Sequence, residues 1–343
     1  MLLYNLENIN SKSSERVNDL IKSTIEGVWS GRTDHLENRT SFRYHQIVEL
    51  GQIDTYVSND ETCAIIGFEC EEGVRRNKGQ LGAAKAPKAL RSELAKLPWK
   101  FSAEKRLVDM GTIECIGNEL ENAQHQLGYV VTKILHKNMT PIILGGGHET
   151  AYGHYQGVRN YIGKQAKLGI INIDAHFDIR PYDEQPSSGT MFRQILEQDE
   201  NSSYFVLGIQ RYGNTQELFD KADELGVTYI YEEDMHLGKM ESVNEKIDEF
   251  IKTHDYIMLT LCTDVLNAAY APGVSASSPF GLDPIIVRSI IRTVTSKEKV
   301  LSFDISEVNP LLDENNRTVK LGAYLTNEAI TSFLGGKLND TSS

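Results

Sequence analysis

From about residue 60 onward, short apolar runs alternate with longer stretches whose apolar positions recur every three or four residues. The runs at 64–67, 107–110, 141–144, 168–173, 204–208, 227–231, 256–261 and 299–304 read as strands. The stretches 86–96, 117–137, 149–162, 188–198, 214–224, 239–252, 284–295 and 320–334 read as helices. Pro87 falls in the first turn of its helix, where a missing N–H costs little. The strands are apolar throughout, which implies burial on both faces, and helices separate them. The expected fold is a three-layer α/β/α architecture with a mostly parallel central sheet.

Upstream of residue 60 the pattern weakens. A helix is expected over 13–26, capped near Ser14, and 27–60 is polar. The predicted organisation is an N-terminal helical and irregular extension at 1–60 packed on the domain, one α/β domain at 61–336, and a polar tail at 337–343.

Composition narrows the function. Hydrophobic residues make up 40% of the 343-residue chain and charged residues 24%, values of a packed globular protein. The net charge of −13 argues against a nucleic-acid partner, which needs a basic footprint. It does not exclude an anionic small-molecule substrate, because local cations override the global field. Cys63, Cys70, Cys115 and Cys262 fit neither a zinc ribbon nor a disulfide framework, so reduced thiols in a cytoplasmic protein are expected. No signal peptide is legible, and no apolar run reaches the roughly 18 residues of a membrane span.

Candidate chemistry clusters at predicted strand ends, where open parallel sheets place their sites. Asp174, His176 and Asp178 form D-x-H-x-D directly after the strand 168–173. In extended backbone, residues two apart point the same way, so the three side chains are expected to converge. Carboxylate oxygens with an imidazole nitrogen suit Mn, Zn, Fe or Ni. Gly145-Gly146-Gly147-His148-Glu149-Thr150 ends another strand and lacks the Lys of a phosphate-binding loop. Thr260, Cys262 and Asp264 alternate at the end of a third, and Asp304-Ile305-Ser306-Glu307 closes a fourth.

These segments, in this order, resemble the ureohydrolases, the arginase and agmatinase superfamily. Ala268, Pro272, Gly273 and Gly281 also fall at the spacing of its third motif. The resemblance implies an arginase-like fold over about 62–335 and two Mn ions. It matches His148, Asp174, Asp178 and position 262 to one ion, and Asp174, His176, position 262 and Asp264 to the other. It makes Glu307 the acid that holds an amidine-like group, and Asp178 the proton carrier to the departing amine.

Further segments point to one branch, among them Trp29-Ser30-Gly31-Arg32, Glu72 to Gly79 and Ser187 to Arg193. They resemble enzymes that hydrolyse N-formimidoyl-L-glutamate to L-glutamate and formamide in histidine degradation. Arginases typically carry a His where this chain has Phe192, which argues against arginine as substrate. Arg76, Arg180 and Arg193 are the candidates for the substrate carboxylates, since Arg offers a bidentate fork. The alternatives are a ureohydrolase acting on agmatine or guanidinobutyrate, and a non-catalytic relative. Cys262 stands where the family has an Asp that bridges both metals. It can be a ligand, a bystander beside a weakened second site, or the mark of a chain with one metal or none. A softer thiolate favours Zn-like ions over Mn, so two unequal sites are expected. Trimers or hexamers are frequent in the family, which leaves a homo-oligomer as an expectation by analogy.

Overall fold

The computed structural model describes residues 20–24, 27–182 and 185–335. The polar tail and most of the helix expected over 13–26 lie outside the described residues. Within that range Lys22 is not helical: it pairs as an antiparallel bridge with Thr112.

In chain order the elements are α1 (Tyr44–Ile47), β1 (Glu49–Leu50), β2 (Thr62–Glu69), α2 (Glu72–Arg76), α3 (Ala86–Leu94), β3 (Arg106–Glu114), α4 (Leu120–His136), β4 (Thr140–Leu144), α5 (Thr150–Ile162) and β5 (Leu168–Ile173). They continue as α6 (Met191–Gln198), β6 (Ser202–Ile209), α7 (Gln216–Glu224), β7 (Thr228–Tyr231), α8 (Met240–Thr253), β8 (Tyr256–Cys262), α9 (Pro284–Thr295), β9 (Val300–Ser306) and α10 (Arg317–Gly335). The strands form one sheet in the order β1-β3-β2-β4-β9-β8-β5-β6-β7, with all pairs parallel. The edge strand β1 has two residues, too few to leave a pattern in the sequence, and it brings the sheet into the segment expected to be peripheral.

Two apolar layers flank the sheet. In β5, Ile171 and Ile173 pack with α3, α8, α9 and α10, whereas Leu168 and Ile170 pack with α4, α5, α6 and α7. This period-two sorting explains why the strands look uniformly apolar: each face has its own helices to bury against. α9 starts cleanly because the Asp283 side chain accepts from Ile285 N at 2.8 Å and Pro284 occupies its first turn.

The described part of the N-terminal segment is tied to the sheet through Asp109 of β3. Its carboxylate takes a fork of two 2.8 Å bonds from Arg91, with Trp29 Nε1 and Thr24 Oγ1 each donating at 2.7 Å. No helix among the described residues is long and apolar enough to cross a membrane.

The sheet order matters most for the site. β4, β9, β8 and β5 are neighbours at its centre, although β4 and β9 lie far apart in sequence. Their carboxyl ends deliver His148, Glu307, the Cys262–Asp264 segment and the D-x-H-x-D segment to one place.

Candidate metal centre

β5 stops at Ile173, so Asp174 to Asp178 is not extended as the sequence alternation suggests. It is a tight irregular turn. His176 N donates to Asp174 Oδ1 at 2.8 Å, and Asp178 sits at a φ of 52°. Part of the alternation survives, because Ala175 and Phe177 between them are fully buried. Phe177 packs edge-on against Phe219 and Tyr229, and this pins the turn.

The His148 turn depends on close backbone approach. A Cβ on Gly146 would lie 1.8 Å from the carbonyl oxygen of Cys70, which rules out any larger residue there. Glu307 N donates to Gly146 O at 2.8 Å, and Glu307 Oε1 accepts from His148 N at 2.8 Å. Glu307 has a φ of 66°. Left-handed backbone at a non-glycine residue costs on the order of 1–3 kcal/mol, and these reciprocal bonds hold it in place.

Two groups of ligand atoms result. His148, Asp174 and Cys262 offer atoms within 4.8 Å of one another, as do Asp174, His176 and Asp264, so Asp174 belongs to both. His148 Nδ1 lies 3.0 Å from Asp174 Oδ2 and 2.8 Å from Asp178 Oδ2. One ring N–H cannot serve two carboxylates, whereas a cation between them satisfies all three groups. Asp264 Oδ1 is buried and has no hydrogen-bond partner among the described residues. Buried carboxylates in such number need ion pairs or metals, and the donor set of oxygen, nitrogen and one sulfur suits divalent transition ions.

The electrostatics agree. Burial pushes Glu307 up to about 8, helped by Glu149 and Asp264. Burial and the charge of Asp174 push Asp178 up to about 6 against the pull of His148. Burial also works against the Asp174 carboxylate, but His148 and His176 outweigh it and hold Asp174 well below the usual range. Burial, then the surrounding carboxylates, drives the Cys262 thiol well above its ordinary value. A cation here would relieve each of these repulsions.

A cleft of about 490 Å³ opens on this centre, lined by His148, His176, Asp178, Cys262, Asp264 and Glu307. Of the three arginines expected to meet substrate, Arg180 lines it and the other two do not. Arg76 is held by Glu72 and by the Pro186 and Asn118 carbonyls, and its side chain is only 7% exposed. Arg193 pairs with Glu197 one turn along α6. Asn77, Ser188 and Ser275 also line the cleft. Asn77 and Ser188 fall inside two of the segments that point to the branch, but lying in loops without periodicity neither they nor Ser275 stand out individually as substrate contacts. Phe192 is fully buried, stacked on Tyr204 and edge-on to His148, so it contributes shape and no proton chemistry.

The fold and this ligand set define a class: the chain belongs to the arginase family, whose model matches residues 61–331. Among its relatives, a formimidoylglutamase of Lysinibacillus sphaericus (strain C3-41) is 58% identical, covering 92% of this chain and 98% of that protein. The formimidoylglutamase of Geobacillus sp. (strain WCH70) is 53% identical, over 89% of this chain and 94% of its own length. In fold, the crystal structure of formimidoylglutamase from Bacillus subtilis subsp. subtilis str. 168 matches with a TM-score of 0.77 at 22% identity, covering 88% and 94% of the two chains. A Trypanosoma cruzi formiminoglutamase with Mn2+ matches with a TM-score of 0.71 at 23% identity, covering 83% of this chain and 98% of that one.

Proposed function

We propose that this chain hydrolyses the formimidoyl C–N bond of N-formimidoyl-L-glutamate, giving L-glutamate and formamide, with two manganese ions as cofactor. The observation that carries the substrate is the 58% identity to a formimidoylglutamase across nearly the full length of both proteins.

His148, Asp174, Asp178 and Cys262 would hold one ion, and Asp174, His176 and Asp264 the other. Such ions, when bound, supply hydroxide at neutral pH by lowering the pKa of water. The side chains then divide the remaining work. Glu307 spends one oxygen on His148 N and has no hydrogen-bond partner for the other among the described residues. Glu307 lines the cleft, and its free oxygen binds the amidinium, whose charge favours the carboxylate form of Glu307. Asp178 carries a proton to the departing amine of glutamate. Arg180 is the one Arg or Lys side chain lining the cleft among the described residues, and it takes one substrate carboxylate. Asn77, Ser188 and Ser275 offer neutral donors to the second.

Purified protein incubated with Mn2+ is expected to release formamide from N-formimidoyl-L-glutamate. It is expected to release no urea from arginine, agmatine or guanidinobutyrate. Urea from a guanidine, with no formamide, would move the assignment to another branch, and no product at all would support a non-catalytic relative.

Cys262 carries a second expectation. Its thiol belongs to the His148 and Asp174 group but not to the His176 and Asp264 group, so it biases one side of the centre toward softer ions. Cys262→Asp is expected to raise Mn content toward two ions per chain and to reduce retention of Zn when the two metals compete, read by elemental analysis. Unchanged content and preference would mean that the thiol ligates nothing.

A further inference from the structure

Behind the ligand shell lies a buried chain of polar side chains whose hydrogen bonds, among the described residues, reach one candidate ligand, His148. His148 Nε2, the ring nitrogen facing away from Asp174 and Asp178, lies 3.0 Å from Thr260 Oγ1. Thr260 Oγ1 is 2.8 Å from Asp304 Oδ1. Asp304 Oδ2 is 2.6 Å from His154 Nδ1, and His154 Nε2 is 2.5 Å from Ser302 Oγ. Ser306 Oγ reaches Asp304 Oδ1 at 3.2 Å. Thr260, Asp304, His154, Ser302 and Ser306 are all fully buried. Such a network inside a sheet is costly unless every member is satisfied, so its proton arrangement is set by counting.

With Asp304 as a carboxylate the count has one solution. Asp304 faces a ring nitrogen and two hydroxyls, so it accepts from each. Thr260 has one hydroxyl proton. Were that proton turned toward His148, lone pairs of Thr260 and Asp304 would oppose each other at 2.8 Å. The proton therefore lies between Thr260 and Asp304, and Thr260 has only lone pairs left for His148. His148 must then carry its proton on Nε2, which leaves the Nδ1 lone pair aimed between Asp174 and Asp178.

We propose that Asp304, anchored by His154 and acting through Thr260, is a positioning residue that fixes the tautomer and ring orientation of His148 for metal binding. This rests on the metal-dependent reading above. A ligating His commonly donates its second N–H to a carboxylate directly. Here the carboxylate stands one hydroxyl further out, and a histidine on α5 holds it in turn. Among the described residues His176 has no such support: its Nδ1 faces Asp264 Oδ2 at 3.1 Å, and its side chain is 25% exposed. The relay therefore serves one side of the centre only.

The test uses the full chain stripped of metal and titrated with Mn2+, with free Mn2+ followed by electron paramagnetic resonance. Thr260→Val keeps the shape and removes both the acceptor for His148 and the donor to Asp304. It is expected to weaken one of two binding events roughly 10- to 100-fold and to spare the other. Thr260→Ser keeps the hydroxyl and is expected to bind like wild type. Thr260→Val protein that binds both ions as wild type does would overturn the relay while leaving the enzyme reading intact. Wild-type protein that takes up no metal would overturn both. A measurement that needs no relay variant is long-range 1H–15N correlation on histidine-labelled, Zn-loaded wild type, with His148 assigned by loss of its signal in His148→Asn. A protonated Nε2 is expected, and a His148 protonated on Nδ1 would overturn the relay even if Thr260→Val fails to fold.

Discussion

Asp174→Asn is expected to abolish metal loading on both sides of the centre and to lower kcat/KM by more than about 100-fold, the upper end of what loss of a residue merely supporting a metal ligand costs. Asp174 is the one side chain common to both groups of ligand atoms. Its oxygens also accept from Asn172 Nδ2 at 3.0 Å and from His176 N at 2.8 Å. An amide at this position must turn an NH2 toward one of those donors, so the turn loosens as the charge disappears. Activity alone would not separate lost metal from lost fold. The decisive reading is thermal: in wild type, Mn2+ at a thousand times its Kd stabilises by about 4 kcal/mol per site. Asp174→Asn should melt near the metal-free wild type and show no such gain. A variant that retains both ions would remove Asp174 from the ligand set.

Glu307→Gln tests the opposite requirement, a site that loads metal normally yet fails to hold the reacting group. The Gln oxygen can still accept from His148 N, so the turn and the ligand set should persist. The other position then presents an NH2 to an amidinium that has only N–H groups to offer. Truncating one partner of a buried charged pair costs about 2–5 kcal/mol, or between about 30- and 5,000-fold in kcat/KM. Metal content should match wild type. A fall within a few-fold would place amidinium recognition elsewhere in the cleft.

What the sequence could reveal followed from which interactions are local. β5 at 168–173 and α9 at 284–295 begin and end where their apolar pattern and caps say they should. The three-layer architecture follows from strands that need two covered faces, and membership of the arginase family bears out the resemblance carried by the strand-end motifs. The order of strands is another matter, since nothing near β8 or β9 announces that both insert between β4 and β5. The turn after β5 departs from the extended backbone its alternation suggests, because alternation is visible in sequence whereas a φ of 52° at Asp178 is not. Among the arginines, Glu72 four residues before Arg76 was a legible warning, but the Pro186 and Asn118 carbonyls that complete its shell come from distant loops. Asp304 stood in a segment already singled out, yet His154 gave no signal, because its partner lies 150 positions away.

The sheet order also governs when this protein can become active during its synthesis. Strands β2 to β4 form one block and β5 to β7 another, and until the last third of the chain leaves the ribosome the facing edges of β4 and β5 have no partner. Those edges are buried in the finished fold except at Thr140, so during elongation they are unpaired, sticky templates of the kind chaperones cover. β8 and β9 close the gap together, and they bring Cys262, Asp264 and Glu307 with them. A nascent chain halted before residue 262 would therefore be both unlocked at its centre and short of two of the candidate ligands, Cys262 and Asp264.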